Sequence, residues 1–407
     1  MRFLVRSIIL AWLLPGILSA QPKARGRELG IPFPGKPGPE NAITDVAGVA
    51  VAHVTLVSGE GRVVPGQGPV RTGVTAILTR PKGDWDFVMA ATFNQNGNGD
   101  MTGVNWIRES GFLEGPILLT GTHSVGTVRD AAIQWQIARG RQFVFTYPIV
   151  SETFDSLSDA NGQYVKPADV WTALDGAKGG RVTEGAVGGG TGMICNGFKG
   201  GIGTSSRVVA EKNTSSYTVG ILVQCNYGGD LQILGVPVGR EITGHKPCLA
   251  LDGEPPRSWL KDSPRCDAPA KDASLGDTGA DLGRGSIVVI VATDAPLLPT
   301  QLERLAKRVG MGLGHLGSWA GNQSGDLFLA FSTANRSNEK AKGEAPVRML
   351  ANDDLNPFFR ATIEATEEAV VNAMLAAETM TGADGLRVYG LPGDEVMKAL
   401  RKYGRVP

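Results

Sequence analysis

The sequence predicts an α/β protein whose sheets are covered by layers of helix, and two observations carry that reading. Strand-length apolar runs without polar alternation recur along the chain, and one long segment has helical apolar spacing between clear end signals. In order, the runs are Gly73–Thr79, Phe87–Phe93, Pro116–Thr120, Phe143–Val150, Tyr217–Cys225, Ser286–Ala292 and Asp326–Thr333. Each is bounded by Gly, Asp, Asn or Pro and rich in Val, Ile or Phe, as expected of strands buried on both faces. Gln301–Val309 is a short amphipathic helix candidate. The clearest helix runs from Pro357 to about Met380, with Asn356 as N-cap, Pro357 at the first helical position and Gly382 just past the end. Its Phe359, Ile363, Val370 and Met374 predict one buried stripe opposite Arg360, Glu364 and Glu367.

Composition narrows the partners. The 407 residues include 40 Lys+Arg against 40 Asp+Glu, with 42% apolar and 20% charged positions. That is a globular balance, and a zero formal charge provides no global field for phosphate backbones or anionic lipid. Nucleic acid and membrane surface are therefore poor partners. The 56 glycines are about twice the roughly 7% average, but they follow no three-residue period, which excludes collagen and argues against disorder. The length suits one large domain or two to three ordinary ones.

Residues 1–20, MRFLVRSIILAWLLPGILSA, place Arg2 and Arg6 before an apolar stretch from Ile8 to Leu18 and end in Ser19-Ala20. They read as a secretory signal peptide, giving a mature chain from about Gln21 in a periplasmic or secreted location. Pro15 and Gly16 interrupt a run already short of the ~20 residues that span a bilayer, and no later segment is long and apolar enough. No membrane association is expected after signal removal. Export permits a Cys248–Cys266 bridge, worth ~3 kcal/mol in the chain-entropy model. Cys195 and Cys225, in apolar or Gly-rich segments, read as two buried small residues. From about His245 to Gly285 large apolar residues are few, so this segment reads as an exposed linker or flexible loop.

Most catalytic signatures are absent. No serine has glycines two residues before and after it, and HExxH, CxxC and Walker A sequences are missing. Four histidines, His53, His123, His245 and His315, make a His-ligated metal site improbable, although His123 could serve a Ser-His-Asp triad or simply pack in a turn. Gly312–Gly317 matches GxGxxG, but it follows a helical segment and opens no βαβ unit, so it reads as a chance match. A mechanism without histidine remains, in which an N-terminal serine uses its own α-amine as general base. That amine has an ordinary pKa of about 7.7–8.0, close to working pH. Gly283-Arg284-Gly285-Ser286 could expose such a serine if the Ser286 hydroxyl attacked the Gly285 carbonyl, an ester formed and water cut it. Gly-Ser before a strand is equally an ordinary loop end.

Longer motifs separate these readings. Asn96–Gly103 (NGNGDMTG), Thr122–Gly126 (THSVG), Glu184–Met193 (EGAVGGGTGM) and Phe198–Arg207 (FKGGIGTSSR) occur in order. They are followed by Gly285-Ser286, Thr293–Leu297 (TDAPL), Glu364–Glu368 (EATEE) and Ala377–Gly382 (AETMTG). Together, from roughly Gly35 to Val406, they resemble the DmpA-type aminopeptidases: L-aminopeptidase/D-amidase–esterases and β-peptidyl aminopeptidases. The resemblance implies an αββα sandwich, similar to that of N-terminal nucleophile hydrolases but differently connected. It also implies self-cleavage into chains 21–285 and 286–407, which stay together as one domain, need no cofactor or metal, and assemble as a homo-oligomer, a tetramer in relatives. The implied substrates are short peptides, aminoacyl amides or esters.

By the same resemblance Ser286 is the nucleophile, with Gly285 on the other side of the cut. Ser324 and Asp326, in the Ser-Gly-acid segment, would orient its amine, and Asn226 would stabilise the oxyanion. Glu152 would bind the substrate's free amine, since a carboxylate pairs with an ammonium but not with an internal amide. Some members have Tyr two residues after that glutamate. Here Phe154 stands there, removing any hydroxyl contribution and implying a more apolar pocket. Without the resemblance, Asp326 reads as a strand end, Asn226 as a turn residue and Glu152 as a surface carboxylate. The Gly188–Gly192 run could cradle an anion or pack tightly beside the site. Two other functions stand beside the aminopeptidase: an amidase of the same fold acting on non-peptide oligoamides, and a non-catalytic exported binding protein.

Overall fold

The apolar runs fold into two facing sheets. In chain order the elements are β1 (Ala50–Ser58), β2 (Val70–Leu78), β3 (Val88–Gly97), β4 (Ile117–Gly121), α1 (Val125–Ala138), β5 (Ile149–Thr153) and α2 (Pro167–Gly176). There follow β6 (Gly201–Ala210), β7 (Ser216–Asn226), β8 (Arg284–Thr293), α3 (Pro299–His315), β9 (Gln323–Ser332) and α4 (Asn356–Ala376). The computed structural model describes residues 23–210, 216–255, 257–268, 284–336 and 343–407, so the expected signal peptide lies outside the described residues.

One sheet has the order β1-β2-β4-β5, and the other has the order Phe112–Leu113, β3, β9, β8, β7, β6. β8 and β9 run parallel at its centre, while β7 and β3 flank them antiparallel. Alternate residues of β8 show how the layers form. Val288, Ile290 and Ala292 join Ile77, Ile117 and Leu119 between the sheets. Ile287, Val289 and Val291 turn outward onto Leu305 and Val309 of α3 and Val370 and Met374 of α4. On the far side, Val74, Leu118 and Val150 pack against Val128 and Trp135 of α1 and Leu174 of α2. The result is the expected αββα sandwich. Each of these buried side chains is worth roughly 1.5–3 kcal/mol relative to exposure, so Ile287–Ala292 fix the strand and leave Gly285 and Ser286 at one sheet end.

Several expectations need correction. Of Phe143–Val150, only Ile149 and Val150 enter a strand; Val144 is 98% exposed, and Phe145 and Tyr147 stack with Trp106 instead. The long helix stops at Ala376, because Ala377 turns extended and Met380–Thr381 pair with Arg387 and Val388. Ile363 is only half-buried, whereas Glu364, expected on the polar face, is buried beside Arg207 and Arg360. Gly312 lies inside α3, where a Cβ would come 2.9 Å from the Ile363 carbonyl oxygen, so it lets α3 pack closely on α4.

Cys195 and Cys225 are buried as expected but joined in a disulfide, with Cα atoms 5.6 Å apart. The cause is tertiary: the Asn196 N–H donates to the Tyr227 carbonyl at 2.7 Å and draws the Ile194–Cys195 strand alongside the end of β7. Cys248 and Cys266 form a second disulfide. The segment from His245 is also less loose than its composition predicts. Cys248–Leu249 pair with Leu386 and Arg387, Leu249 and Leu260 cluster with Leu157, and Arg257 binds the Asp384 carboxylate and the Ser156 carbonyl. Residues 269–283 lie outside the described residues.

Candidate active site

Ser286 sits near the start of β8 and is 7% exposed. Its register partners are Asn226 on β7 and Gly325 on β9. Only glycine fits immediately before it. Gly285 has φ +139°, and a Cβ there would lie 2.7 Å from Tyr227 Cα. The Gly325 N–H donates to Ser286 Oγ at 3.3 Å. A Cβ on Gly325 would come 3.1 Å from that oxygen and 2.2 Å from the Asn98 carbonyl oxygen. Glycines on both sides thus leave the hydroxyl room next to backbone.

The flanking strands supply the polar groups. Ser324 Oγ donates to Asp326 Oδ1 at 2.6 Å, and both residues are buried. Burial pushes the Asp326 carboxyl above its ordinary range, with the Ser324 hydrogen bond opposing. Asn226 is held at both ends of its amide. Its Oδ1 accepts from the Ile194 N–H at 2.8 Å, and its Nδ2 donates to the Phe154 carbonyl at 3.1 Å. One Nδ2 hydrogen is left for another acceptor.

Glu152 arrives from the other sheet, near the end of β5, and at 4% exposure it is no surface carboxylate. It accepts from the Asp100 N–H at 3.0 Å and from the Thr122 hydroxyl. Burial raises its pKa, while these two hydrogen bonds and His123 act the other way. The Asn96–Gly103 segment joins the two halves. The Asn98 N–H donates to the Ser324 carbonyl at 3.4 Å, and a Cβ on Gly99 would lie 3.0 Å from Glu152 Oε1 and 3.8 Å from Gly325 Cα. Gln224, two residues before Asn226, spans the sheets, donating to the Thr120 carbonyl at 3.0 Å and to Thr153 Oγ1 at 2.9 Å. All the expected site residues therefore meet at one end of the sandwich. Phe154 enters through its backbone carbonyl, and its side chain is partly exposed.

His123 is exposed near Glu152, and the Gly188–Gly190 turn packs between the sheets, since a Cβ on Gly189 would lie 2.2 Å from Gln224 Oε1. Nothing in the sequence marks Thr122, the Asp100 N–H or the Ile194 N–H as site groups, beyond the place of the first two in the THSVG and NGNGDMTG motifs; a backbone N–H leaves no mark in the sequence.

With this geometry in place, comparisons with known proteins become informative. The pattern of peptidase family S58 matches residues 41–388. The β-peptidyl aminopeptidase BapA of Sphingosinicella microcystinivorans is 46% identical over 404 residues, covering 98% of this chain and 97% of its own length. Its namesake from Sphingosinicella xenopeptidilytica is 45% identical over 385 residues, covering 93% and 91%. The solved structure of the L-aminopeptidase D-Ala-esterase/amidase of Ochrobactrum anthropi, described as a prototype for the serine aminopeptidases and a variant of the Ntn hydrolase fold, superposes with TM-score 0.80 at 41% identity. That match covers 94% of this chain and 99% of the other. A Burkholderia sp. β-aminopeptidase gives TM-score 0.79 at 42% identity over 94% and 100%. The chain belongs to peptidase family S58 and is a serine aminopeptidase.

Proposed function

We propose that the chain cuts itself between Gly285 and Ser286, and that the freed Ser286 is the nucleophile releasing N-terminal residues from short peptides, amides or esters. The observation that carries this reading is the register of β8, which sets Ser286 between Asn226 of β7 and the Ser324-Gly325-Asp326 segment of β9. In the cut chain, Ser286 Oγ attacks the substrate carbonyl and its proton passes to the Ser286 amine. The resulting oxyanion accepts a hydrogen bond from the free Nδ2–H of Asn226. Collapse expels the leaving amine, which receives that proton, and water then hydrolyses the ester. Ser324 and Asp326 hold the amine in place, the carboxylate favouring its protonated form during the transfer.

Glu152 pairs with the substrate ammonium, which limits cleavage to the first residue and disfavours oligoamides without a free amine. The named relatives are β-peptidyl aminopeptidases and an L-aminopeptidase D-Ala-esterase/amidase, so β-residues are the first substrates to try, with L- and D-residues beside them. An exported location and assembly of the cleaved pairs into a homo-oligomer complete the reading. The test is Ser286→Ala: the denatured mass spectrum should show one uncut chain, and turnover of aminoacyl amides should vanish. Retained activity in that variant overturns the mechanism.

A further inference from the structure

Lys199 is fully buried, and no carboxylate pairs with it among the described residues. Its Nζ donates to the carbonyls of Met193 and Gly200, each at 2.9 Å, and burial pushes its pKa down to about 7. Burying an unpaired ammonium costs several kcal/mol, and an apolar side chain of similar length fills such a space without that cost. Satisfying the carbonyl does not explain the lysine, because Met193 O already accepts from the Gly200 N–H at 2.9 Å.

What lies on the other side of that carbonyl does. Met193 C=O and Ile194 N–H belong to one planar peptide unit, and this N–H is the donor that holds Asn226 Oδ1 at 2.8 Å. A hydrogen bond from Lys199 to the carbonyl polarises the unit and strengthens its N–H as a donor. The row runs Lys199 Nζ, Met193 carbonyl, Ile194 N–H, Asn226 Oδ1, and ends on the Nδ2 that lies across the ladder from Ser286. Reversal of the Asn226 amide would put an oxygen where the oxyanion forms. The fixed Ile194 N–H forbids that reversal.

We propose that Lys199 is a positioning residue, which through the Met193–Ile194 peptide keeps the Asn226 amide nitrogen aimed at the oxyanion. The inference rests on the roles given above to Ser286 and Asn226. Because it concerns a charge that exists only after attack, Lys199 should affect the tetrahedral state and leave ground-state binding at Glu152 alone.

The experiment compares two probes on the self-cleaved enzyme. One is an aminoalkyl boronate of α- or β-spacing, whichever inhibits the unsubstituted enzyme more, since its serine adduct puts an oxygen at the oxyanion position. The other is the matching amino alcohol, which offers only the ammonium. In Lys199→Met, boronate affinity and kcat should both fall about tenfold to a hundredfold, while the amino alcohol Ki and KM stay within about twofold. The inference is overturned if both Ki values move together, or if neither moves. It is also overturned if Lys199→Met and the donor-retaining Lys199→Gln both fail to give folded, self-cleaved protein, for the lysine then holds the fold. If the unsubstituted enzyme resists every boronate, the serine mechanism itself fails and the inference with it.

Discussion

A Cβ placed on Gly285 would lie 2.2 Å from the carbonyl oxygen of Asn226, so the residue before the proposed nucleophile is pressed against the backbone of the proposed oxyanion donor. With φ +139°, Gly285 also occupies a conformation that other residues adopt only under strain. Gly285→Ala should therefore leave the chain uncut and lower its stability by roughly 1–3 kcal/mol. Two fragments in the denatured mass spectrum, appearing at the usual rate, would contradict this.

Asn226→Ala removes the proposed donor itself. We expect kcat for an aminoacyl amide to drop about 10²–10³-fold with KM changed little, as for loss of a single oxyanion donor. Steady-state kinetics on protein confirmed as cleaved decides it; a change confined to KM would assign Asn226 to ground-state binding.

Glu152 must be ionised to hold an ammonium, and burial raises its pKa. As pH falls, kcat/KM should drop at a pH above the ordinary glutamate value of about 4.3. Glu152→Gln should raise KM for free-amine substrates and remove the Glu152 step from the acid side of the profile, leaving only the fall set by protonation of the Ser286 amine. A pH profile unchanged by the substitution would leave the Ser286 amine as the sole titrating group on the acid side and remove Glu152 from substrate binding.

Asp155, the next acidic residue along, is buried and its pKa is pushed up to about 6 by desolvation. With the folded value above the unfolded one, its contribution to stability is present below about pH 4 and is lost as pH rises through 6. Asp155→Asn carries no such dependence. Denaturant titrations at pH 4 and pH 7 should show the variant gaining on the order of 2–3 kcal/mol relative to the parent across that interval. Parallel stability curves would refute the assignment.

The Cys248–Cys266 bridge joins residues 18 apart in sequence, and a loop of that length is worth about 3 kcal/mol to the folded state. Cys248→Ser with Cys266→Ser should lower the thermal midpoint while the mature enzyme keeps its activity, because the bridge touches none of the site residues. Calorimetry beside an activity assay measures both.

How much of this was legible in the sequence depended on where each residue's neighbours come from. Ile287–Val291 read plainly as a strand because an unbroken β-branched run carries its own signal. β6 did not. Its GIGTSSRVVA is small and polar because α4 lies directly on it: a Cβ on Gly203 would meet the Ala369 carbonyl oxygen at 2.0 Å, and Ser205 Oγ donates to the Ala365 carbonyl at 2.5 Å. Phe143–Val150 failed the other way, since Phe145 and Tyr147 pack against Trp106. At the site, composition and spacing reached only a serine before a strand. Asn226, Glu152 and the Ser324–Asp326 pair came from the family resemblance, because their meeting depends on ladder register between distant segments. The Cys195–Cys225 bond was invisible for the same reason.

The order of the six-stranded sheet has a consequence for the cut molecule. β8 and β9 follow the proposed cut, yet they lie between β3 and β7, which precede it, and Glu368 of α4 is buried against Arg207 of β6 and Arg27. The two products are therefore interleaved like the fingers of clasped hands. They cannot exchange partners without breaking two inner ladders and stripping a buried ion pair, so dissociation would be as slow as global unfolding. The proposed maturation would then create a free amine in a cleft already assembled around it, and the cut pair should melt as one piece.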